Sequence, residues 1–354
     1  MAYSSFRKPS STDVAQKALV SQATVSYVFS GKSAGLVSAE TRERVLEAAR
    51  ELGYRPNSLA KALLKGRTNT VGVFVSYLGS RFHADIVLGA QQVLEEHGYS
   101  LLLTASELDH MARASRIEFL MNHRVDALMV IGGFYYTSSA PDWLSSVLAE
   151  HTPCVVVDDA SCQKFVDCVI SDDVDGIRQA VAHLVALGHR RIAYHGGWWT
   201  STTAVERRGG FLSALREHGL DSDSKCCAPI ANDAAAVEAN LRSLLTDPDR
   251  PSAIIAANDH MAGEVVCEAQ KLGLSVPRDL ALMGYANQEV SWVLDITTID
   301  QRPRQMGKTA ALRLVERLRD PEAPPATTRT PVDLLARRST LDSPPPERAI
   351  TEEE

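Results

Sequence analysis

A weak internal repeat constrains this chain more than any other feature. Val71-Gly72-Val73-Phe74 returns 121 residues later as Ile192-Ala193-Tyr194-His195. At the same offset Gly89 meets Gly210, and Leu94-Glu95-Glu96-His97-Gly98 meets Leu215-Arg216-Glu217-His218-Gly219. Asp126-Ala127-Leu128-Met129-Val130 resembles Ser252-Ala253-Ile254-Ile255-Ala256 at an offset of 126. Short apolar runs at 71–75, 100–103, 127–131, 155–157, 191–194, 253–256 and 280–283 read as strands, and stretches such as 86–97, 174–187, 206–218 and 261–272 read as helices. That alternation predicts parallel sheets with crossover helices. The repeat predicts two similar open α/β lobes, residues 70–340, with a ligand held in the cleft at the carboxyl ends of the strands. A single larger doubly wound sheet is the alternative.

The first 55 residues follow a different rule. Ser11-Thr12-Asp13-Val14-Ala15, then Ala18-Leu19-Val20-Ser21, then Ala23-Thr24-Val25-Ser26 fit a short helix, a tight turn and a second short helix. Ser21 suits an N-cap, since its hydroxyl can accept free amide hydrogens of the next turn. Ala15, Ala18, Val20, Val25 and Val28 form the side expected to be buried. Gln22, Ala23 and Tyr27 lie on the other side of the second helix, where a helix-turn-helix places the side chains that read base edges in the major groove. A third helix is expected from a Ser38 cap through Val45, Ala48, Ala49 and Leu52 to Gly53. Residues 1–67 carry eleven Lys and Arg against five Asp and Glu, whereas the whole chain is −7, so a basic head rides on an acidic body. A basic head draws in phosphate through counterion release, and an acidic body avoids nonspecific adhesion to it. A solvated helical hairpin without a DNA role is the alternative.

At 354 residues the chain exceeds one average domain. No run of about 18 apolar residues is present, so no membrane span is expected, and residues 1–10 lack the apolar core of a secretory signal. The six cysteines form no CxxC pair and read as reduced, buried thiols rather than a disulfide or zinc framework. Gly31-Lys32-Ser33-Ala34-Gly35 fits G-x-S-x-G, but a helix rather than a strand precedes it, so a surface loop is the reading. No HExxH and no GxGxxG after a strand occurs. No cofactor, no metal and no catalytic residues are therefore expected. Residues 56–69 read as a hinge helix and linker, bracketed by Pro56 and Gly66 and too short to hold a helix unaided. Residues 341–354, with Pro344-Pro345-Pro346 and Glu352-Glu353-Glu354, read as a disordered tail.

These residues resemble the lactose-repressor family of bacterial transcription regulators over residues 11–339. The resemblance rests on Asp13-Val14-Ala15 with Thr24-Val25-Ser26, Thr41-Arg42-Glu43-Arg44-Val45, Leu52-Gly53-Tyr54-Arg55-Pro56-Asn57, His183-Leu184-Val185-Ala186-Leu187-Gly188-His189, Asn258-Asp259-His260-Met261-Ala262, Gly284-Tyr285, and Thr297-Thr298-Ile299 before Gln301. It implies a homodimer on a double-stranded, pseudo-palindromic operator. It implies backbone contacts from Ser21, Thr24, Ser26, Asn57 and Lys61, and a minor-groove wedge at Leu63. It also implies a body like periplasmic sugar-binding proteins, with Ser201, Thr203, Arg207, Asp259, Tyr285 and Gln301 around a small effector: a sugar, a sugar derivative, or another polar or aromatic ligand. Phe82, His83 and Trp198 are further candidates for the cleft wall, since aromatic faces suit sugar rings and other flat ligands, with core packing the alternative for each. Leu19 stands where the family turn usually has Gly, Ser30 where Asn is common, and Ala286 where a carboxylate usually follows Gly-Tyr. Without that carboxylate the cleft is expected to be more positive, shifting the expected ligand toward an anionic or aromatic one. The alternative for Arg207 is a salt bridge across the cleft, for example to Asp259.

The expected function is a cytoplasmic DNA-binding transcription regulator, a repressor, that joins the nucleoid when bound and is not an enzyme. A periplasmic-type solute-binding protein without a DNA role and an enzyme on this fold are the rival readings; the basic head opposes the first and the missing catalytic constellation the second.

Overall fold

The structure is a computed structural model that describes residues 9–30, 36–55, 66–106, 110–132, 142–196, 201–221, 226–227 and 234–341. The chain divides into two compact units, residues 1–68 and 69–354.

In the first unit α1 (Ser11–Ala18), α2 (Gln22–Ser30) and α3 (Ala39–Leu52) are each set by local chemistry. Ser10 Oγ accepts from the Asp13 amide, while the Asp13 carboxylate accepts from the Ser10 amide at 2.7 Å, a reciprocal cap. Leu19 ends α1 in the left-handed conformation, φ 53°, and donates its amide hydrogen back to the last turn. Ser21 Oγ accepts from the Thr24 amide at 3.1 Å to start α2, and Ser38 Oγ accepts from the Thr41 amide at 3.2 Å to start α3. Gly53 closes α3 at φ 66°, where a glycine costs least. Val14, Ala15, Ala18, Val25, Val28, Val45, Ala48 and Ala49 form the buried cluster of the three helices. Val14 joins this core although the sequence reading left it out, and Val20 only packs against its edge.

The second unit holds two parallel sheets. Six strands, β1 (Thr70–Val75), β2 (Ser100–Ala105), β3 (Ala127–Ile131), β4 (Cys154–Val157), β5 (Asp167–Ser171) and β10 (Thr327–Thr330), lie in the order β10-β5-β4-β3-β1-β2. The second sheet is β6 (Ile192–His195), β7 (Ala253–Ala256) and β8 (Ala281–Met283), extended by a bridge from Met283 to Thr297 and by the antiparallel pair β9 (Thr298–Asp300) and β11 (Asp333–Leu335). The chain therefore forms two lobes, but with sheets of six and three strands rather than equal copies. The repeat seen in the sequence is the first strand and helix of each lobe, β1 with α4 (Arg81–Glu96) and β6 with α8 (Thr202–Glu217), followed by β3 and β7.

The first sheet is buried on both faces, as its near-continuous apolar strands require. Val71, Val73 and Val75 pack on α4 and on α12 (Pro303–Arg319), while Phe74 packs on α5 (His110–Asn122) and α6 (Asp142–Ala149). Helices α4 and α12 approach so closely that a Cβ on Gly89 would lie 2.0 Å from the Arg304 carbonyl oxygen, and one on Gly307 2.0 Å from that of Ile86. Arg317 anchors α12 by a fork onto the buried Asp167 of β5, at 2.9 and 3.0 Å. The second lobe packs α7 (Asp173–Ala186), α8, α9 (Ala234–Thr246) and α10 (Asp259–Lys271) around its sheet.

The chain crosses between lobes three times, at 172, 301–302 and 331–332. The crossings are tied together: Gln301 Nε2 donates to Ser171 Oγ at 2.7 Å, and the Asp172 amide donates to the Thr330 carbonyl at 2.9 Å. Four strands escaped the sequence reading. β5 begins and ends on polar residues, β10 is the all-polar edge Thr-Thr-Arg-Thr, and β9 and β11 are three residues each, too short for a periodicity to register.

Candidate DNA interface and ligand site

On α2 the burial pattern separates two faces. Val25 and Val28 are buried, whereas Gln22, Ala23, Ser26 and Tyr27 are exposed, Tyr27 by 45%. Gln22 is braced by its amide, which donates to Ser11 Oγ on α1 at 2.8 Å. Ser21 Oγ and Thr24 Oγ1 share a 2.9 Å hydrogen bond at the start of the helix. This face joins an amide that can pair with adenine, a methyl that suits a thymine methyl, and a phenol. The positive end of the helix dipole favours phosphate near Ser21 and Thr24. Among the remaining DNA-facing residues expected from the sequence, Asn57, Lys61 and Leu63 lie outside the described residues, as do the 31–35 loop, the 56–65 hinge segment and the tail from 342.

The ligand-site residues divide into those that meet and those that do not. Arg207, in the second turn of α8, is buried. Its Nε stands 3.1 Å from Asp173 Oδ2, its Nη1 donates to the Ala257 carbonyl at 2.7 Å, and its guanidinium lies 3.9 Å above the Tyr285 ring. Tyr285 Oη and Ser171 Oγ each donate to Asp173 Oδ1 at 2.8 Å, and Gln301 donates to Ser171. Burial acts most strongly against the Arg207 charge, but Asp173, Tyr285, Asp158 and Tyr194 together outweigh it and hold the guanidinium above its ordinary pKa. Arg207, Tyr285 and Gln301 thus belong to one buried polar network at the lobe crossing. Gly176 makes room for it, since a Cβ there would meet Tyr285 Oη at 2.4 Å.

The carboxylate facing Arg207 is Asp173, not Asp259. Asp259 is fully buried elsewhere: it accepts from Thr298 Oγ1 at 2.7 Å and the Gln288 amide at 2.6 Å, and Gly284 admits its approach. Burial pushes its carboxyl up to about 6 against those hydrogen bonds. Ser201 caps α8, its Oγ accepting from the Ala204 amide at 3.1 Å and meeting Thr203 Oγ1 at 2.8 Å. Phe82 is buried in the core of the first lobe. The half-buried His83 places Nδ1 2.9 Å from the Tyr77 carbonyl, and burial lowers its pKa. Trp198 lies outside the described residues.

The charge around Arg207 is set by acids that the sequence reading did not name. Ala286, at φ 100°, turns its methyl into the first lobe's apolar cluster, so no carboxylate reaches Arg207 from that position. Asp173 supplies one instead, and two further buried acids, Asp158 and Asp159, follow β4. Burial pushes Asp158 up to about 8, with Arg207 acting against the rise. None of these three acids was singled out in the sequence. Their signal was present, since Asp158-Asp159 stands at the carboxyl end of a strand, where ligands bind in open α/β sheets. Polar contacts join the first lobe to the second. Thr202 Oγ1 donates to Asp159 at 3.1 Å, Arg329 forks onto Glu206 at 2.9 and 3.0 Å, and Arg81 reaches Glu289 at 3.0 Å. Among the described residues no cluster of His, Cys, Asp and Glu could hold a metal ion, and no helix is long and apolar enough to cross a membrane.

Comparison with known proteins agrees with both halves. Residues 12–57 match the bacterial regulatory proteins, lacI family, and residues 181–340 match the periplasmic binding protein-like domain. The chain is 32% identical over 312 residues to the HTH-type transcriptional repressor PurR of Aliivibrio salmonicida, covering 87% of this chain and 92% of that one. It is 30% identical over 337 residues to the PurR repressor of Erwinia tasmaniensis, covering 94% and 97%. Among solved structures, the lac repressor dimer bound to operator and the anti-inducer ONPF superposes with a TM-score of 0.81 at 29% identity, covering 95% of this chain and 100% of that one. The transcriptional regulator CelR in complex with cellobiose gives 0.69 at 29% identity, covering 94% and 99%. With a helix-turn-helix head, a two-lobed parallel α/β core and relatives aligned along nearly its whole length, this chain belongs to the lacI family of bacterial regulatory proteins.

Proposed function

We propose that this chain is a transcription repressor that binds a pseudo-palindromic operator as a homodimer and is controlled by a small ligand between its two lobes. The observation that carries the reading is α2: a braced, exposed face of Gln22, Ala23 and Tyr27 on a helix whose other face closes a small core, in a head of net positive charge. Two-fold symmetry in the protein calls for a two-fold repeat in the DNA. The lac repressor relative is a dimer on its operator, which supports the same arrangement here. Its anti-inducer and the cellobiose of the CelR complex support a small molecule as the controlling signal.

The core supplies the control element. Three chain crossings bound side by side form a hinge, and the contacts across the lobes give it a closed position that a ligand can favour or oppose. The repressor relatives also favour a binding role over catalysis. Work on bacterial DNA places the protein in the cytoplasm. A gel shift with an inverted repeat from the chain's own upstream region tests the reading, with a thermal-shift screen of sugars, sugar phosphates, nucleosides, purines and small amines beside it. A retarded complex whose affinity changes with a compound that raises the melting point is the expected result. A complex formed equally on scrambled DNA contradicts it.

A further inference from the structure

Three buried carboxylates meet near Arg207, and two of them keep an oxygen without a hydrogen-bond partner among the described residues: Asp173 Oδ2, which faces Arg207, and Asp158 Oδ1. Asp173 accepts from Ser171 and Tyr285 and faces Arg207. Asp159 accepts from the Ser161 amide at 2.6 Å and from Thr202 Oγ1 at 3.1 Å. Asp158 is only 8% exposed, and its Oδ1 has no hydrogen-bond partner among the described residues. The Tyr194 hydroxyl on β6, which feels both Arg207 and Asp173, is likewise buried without a partner among them. Orphaned buried polar atoms are rare in folded proteins and point to a missing partner.

The charges say what kind of partner. Arg207 faces Asp173 with Nε, gives Nη1 to a backbone carbonyl and covers the Tyr285 ring, so its positive charge is already matched by a buried carboxylate. Another cation, Arg113, acts on Cys162, as Asp159 does, on the first-lobe side. No ion pair reaches Asp158 among the described residues, and Arg207, the cation that acts on it, is already paired with Asp173. We infer that the site between the lobes takes a small ligand bearing a protonated amine, which donates to Asp158 opposite Arg207. This rests on the ligand-controlled reading above and names the class of ligand. Without ligand, burial lifts Asp158 to about 8, so a proton occupies the carboxyl at neutral pH. An ammonium group takes that proton's place, and the displaced proton goes to the buffer. Asp159 and Asp173 raise the Asp158 pKa, and Arg207 lowers it.

The test uses the full chain and matched probes: glucosamine, glucose and glucuronate, with ethanolamine, ethylene glycol and glycolate as a smaller set. Thermal shift and titration calorimetry are read at pH 7 in phosphate and in MOPS, whose ionisation heats differ and neither of which carries a primary amine. An amine that binds at least tenfold more tightly than its neutral and acidic counterparts, releasing close to one proton, supports the inference. In Asp158→Asn the preference and the proton release are both lost, and circular dichroism checks that the variant is folded. Proton release by the unmodified protein stands on its own if the variant does not fold. Equal or tighter binding of the neutral or acidic counterpart overturns the inference, as does binding by none of the amines. A neutral ligand that changes operator affinity overturns the amine while leaving ligand control standing. Operator binding that no compound in the wider screen alters removes both.

Discussion

The pair of Arg207 and Asp173 gives the sharpest energetic prediction. Asp173 is 1% exposed and Arg207 9%, so neither charge has water to fall back on. Arg207→Met removes the 3.1 Å ion pair, the hydrogen bond to Ala257 and the contact with Tyr285, and leaves a buried carboxylate without its cation. Breaking a buried pair from one side costs roughly 3–5 kcal/mol, because the surviving charge is stranded. Asp173→Asn strands the guanidinium in the same way. The double variant strands nothing: the side-chain carbonyl that Asp173→Asn keeps can still accept from Ser171 and Tyr285, and a methionine fills the space of the arginine stem. It should therefore cost about as much as one single change, giving a coupling of about 3–5 kcal/mol, the size of one single cost. Urea unfolding of the four proteins, followed by circular dichroism and checked for a constant slope, measures the cycle. Single costs that add to within about 0.5 kcal/mol would refute the reasoning, since they would mean that the two charges are solvated separately.

Four other outcomes follow from the same structure. Gly89→Ala should lower the stability of the core by roughly 1–3 kcal/mol, because its Cβ meets a backbone carbonyl at 2.0 Å; an unchanged unfolding midpoint means that α4 and α12 can part freely. Leu19→Gly should stabilise the head by about 0.5 kcal/mol: a left-handed non-glycine residue costs roughly 1–2 kcal/mol and the glycine's extra unfolded-state entropy offsets part of that. The leucine side chain is 89% exposed and loses no burial, so a clear destabilisation in thermal melts of the head would contradict this. Asp158, held near 8 in the fold against an ordinary 3.8, binds more protons folded than unfolded, so its contribution to stability falls as pH rises from about 4 to about 8 and is level above that. The stability difference between Asp158→Asn and the parent should therefore change between pH 6.5 and 8 in favour of the variant, by up to about 1.4 kcal/mol per pH unit; a flat difference shows that Asp158 is ionised there. Tyr27→Ala should cost roughly 1–3 kcal/mol on the specific site and little on random DNA, whereas an equal loss on both in anisotropy titrations would move Tyr27 to a backbone contact.

The head was the most legible part of the chain, because its determinants are local. Ser21, Ser38 and Gly53 cap or end helices within three or four residues of themselves, and the positive φ of Leu19 follows from the turn in which it sits. The strand and helix alternation of the core was legible for the same reason. The polar network was not. Asp173 stands in Asp172-Asp173-Val174-Asp175-Gly176, which reads as the solvated first turn of a helix, and only the packing of α7 on α8 brings it beneath Arg207. Asp259, the example of a salt-bridge partner for Arg207 in the alternative reading, is satisfied instead by Thr298 and the Gln288 amide, brought in from β9 and the loop after β8. The space at Gly89 depends on Arg304, more than two hundred residues away, and no periodicity within one helix records such a neighbour.

The central claim is sequence-specific DNA recognition by the α2 face, and it is tested most directly by an affinity ratio. Fluorescence anisotropy at one fixed salt concentration compares a duplex carrying the inverted repeat with a scrambled duplex of the same length and composition. The account predicts binding to the repeat tighter by about 10³-fold or more, with affinity for both falling steeply as salt is raised. Equal affinity for the two duplexes, or none for either, would contradict it.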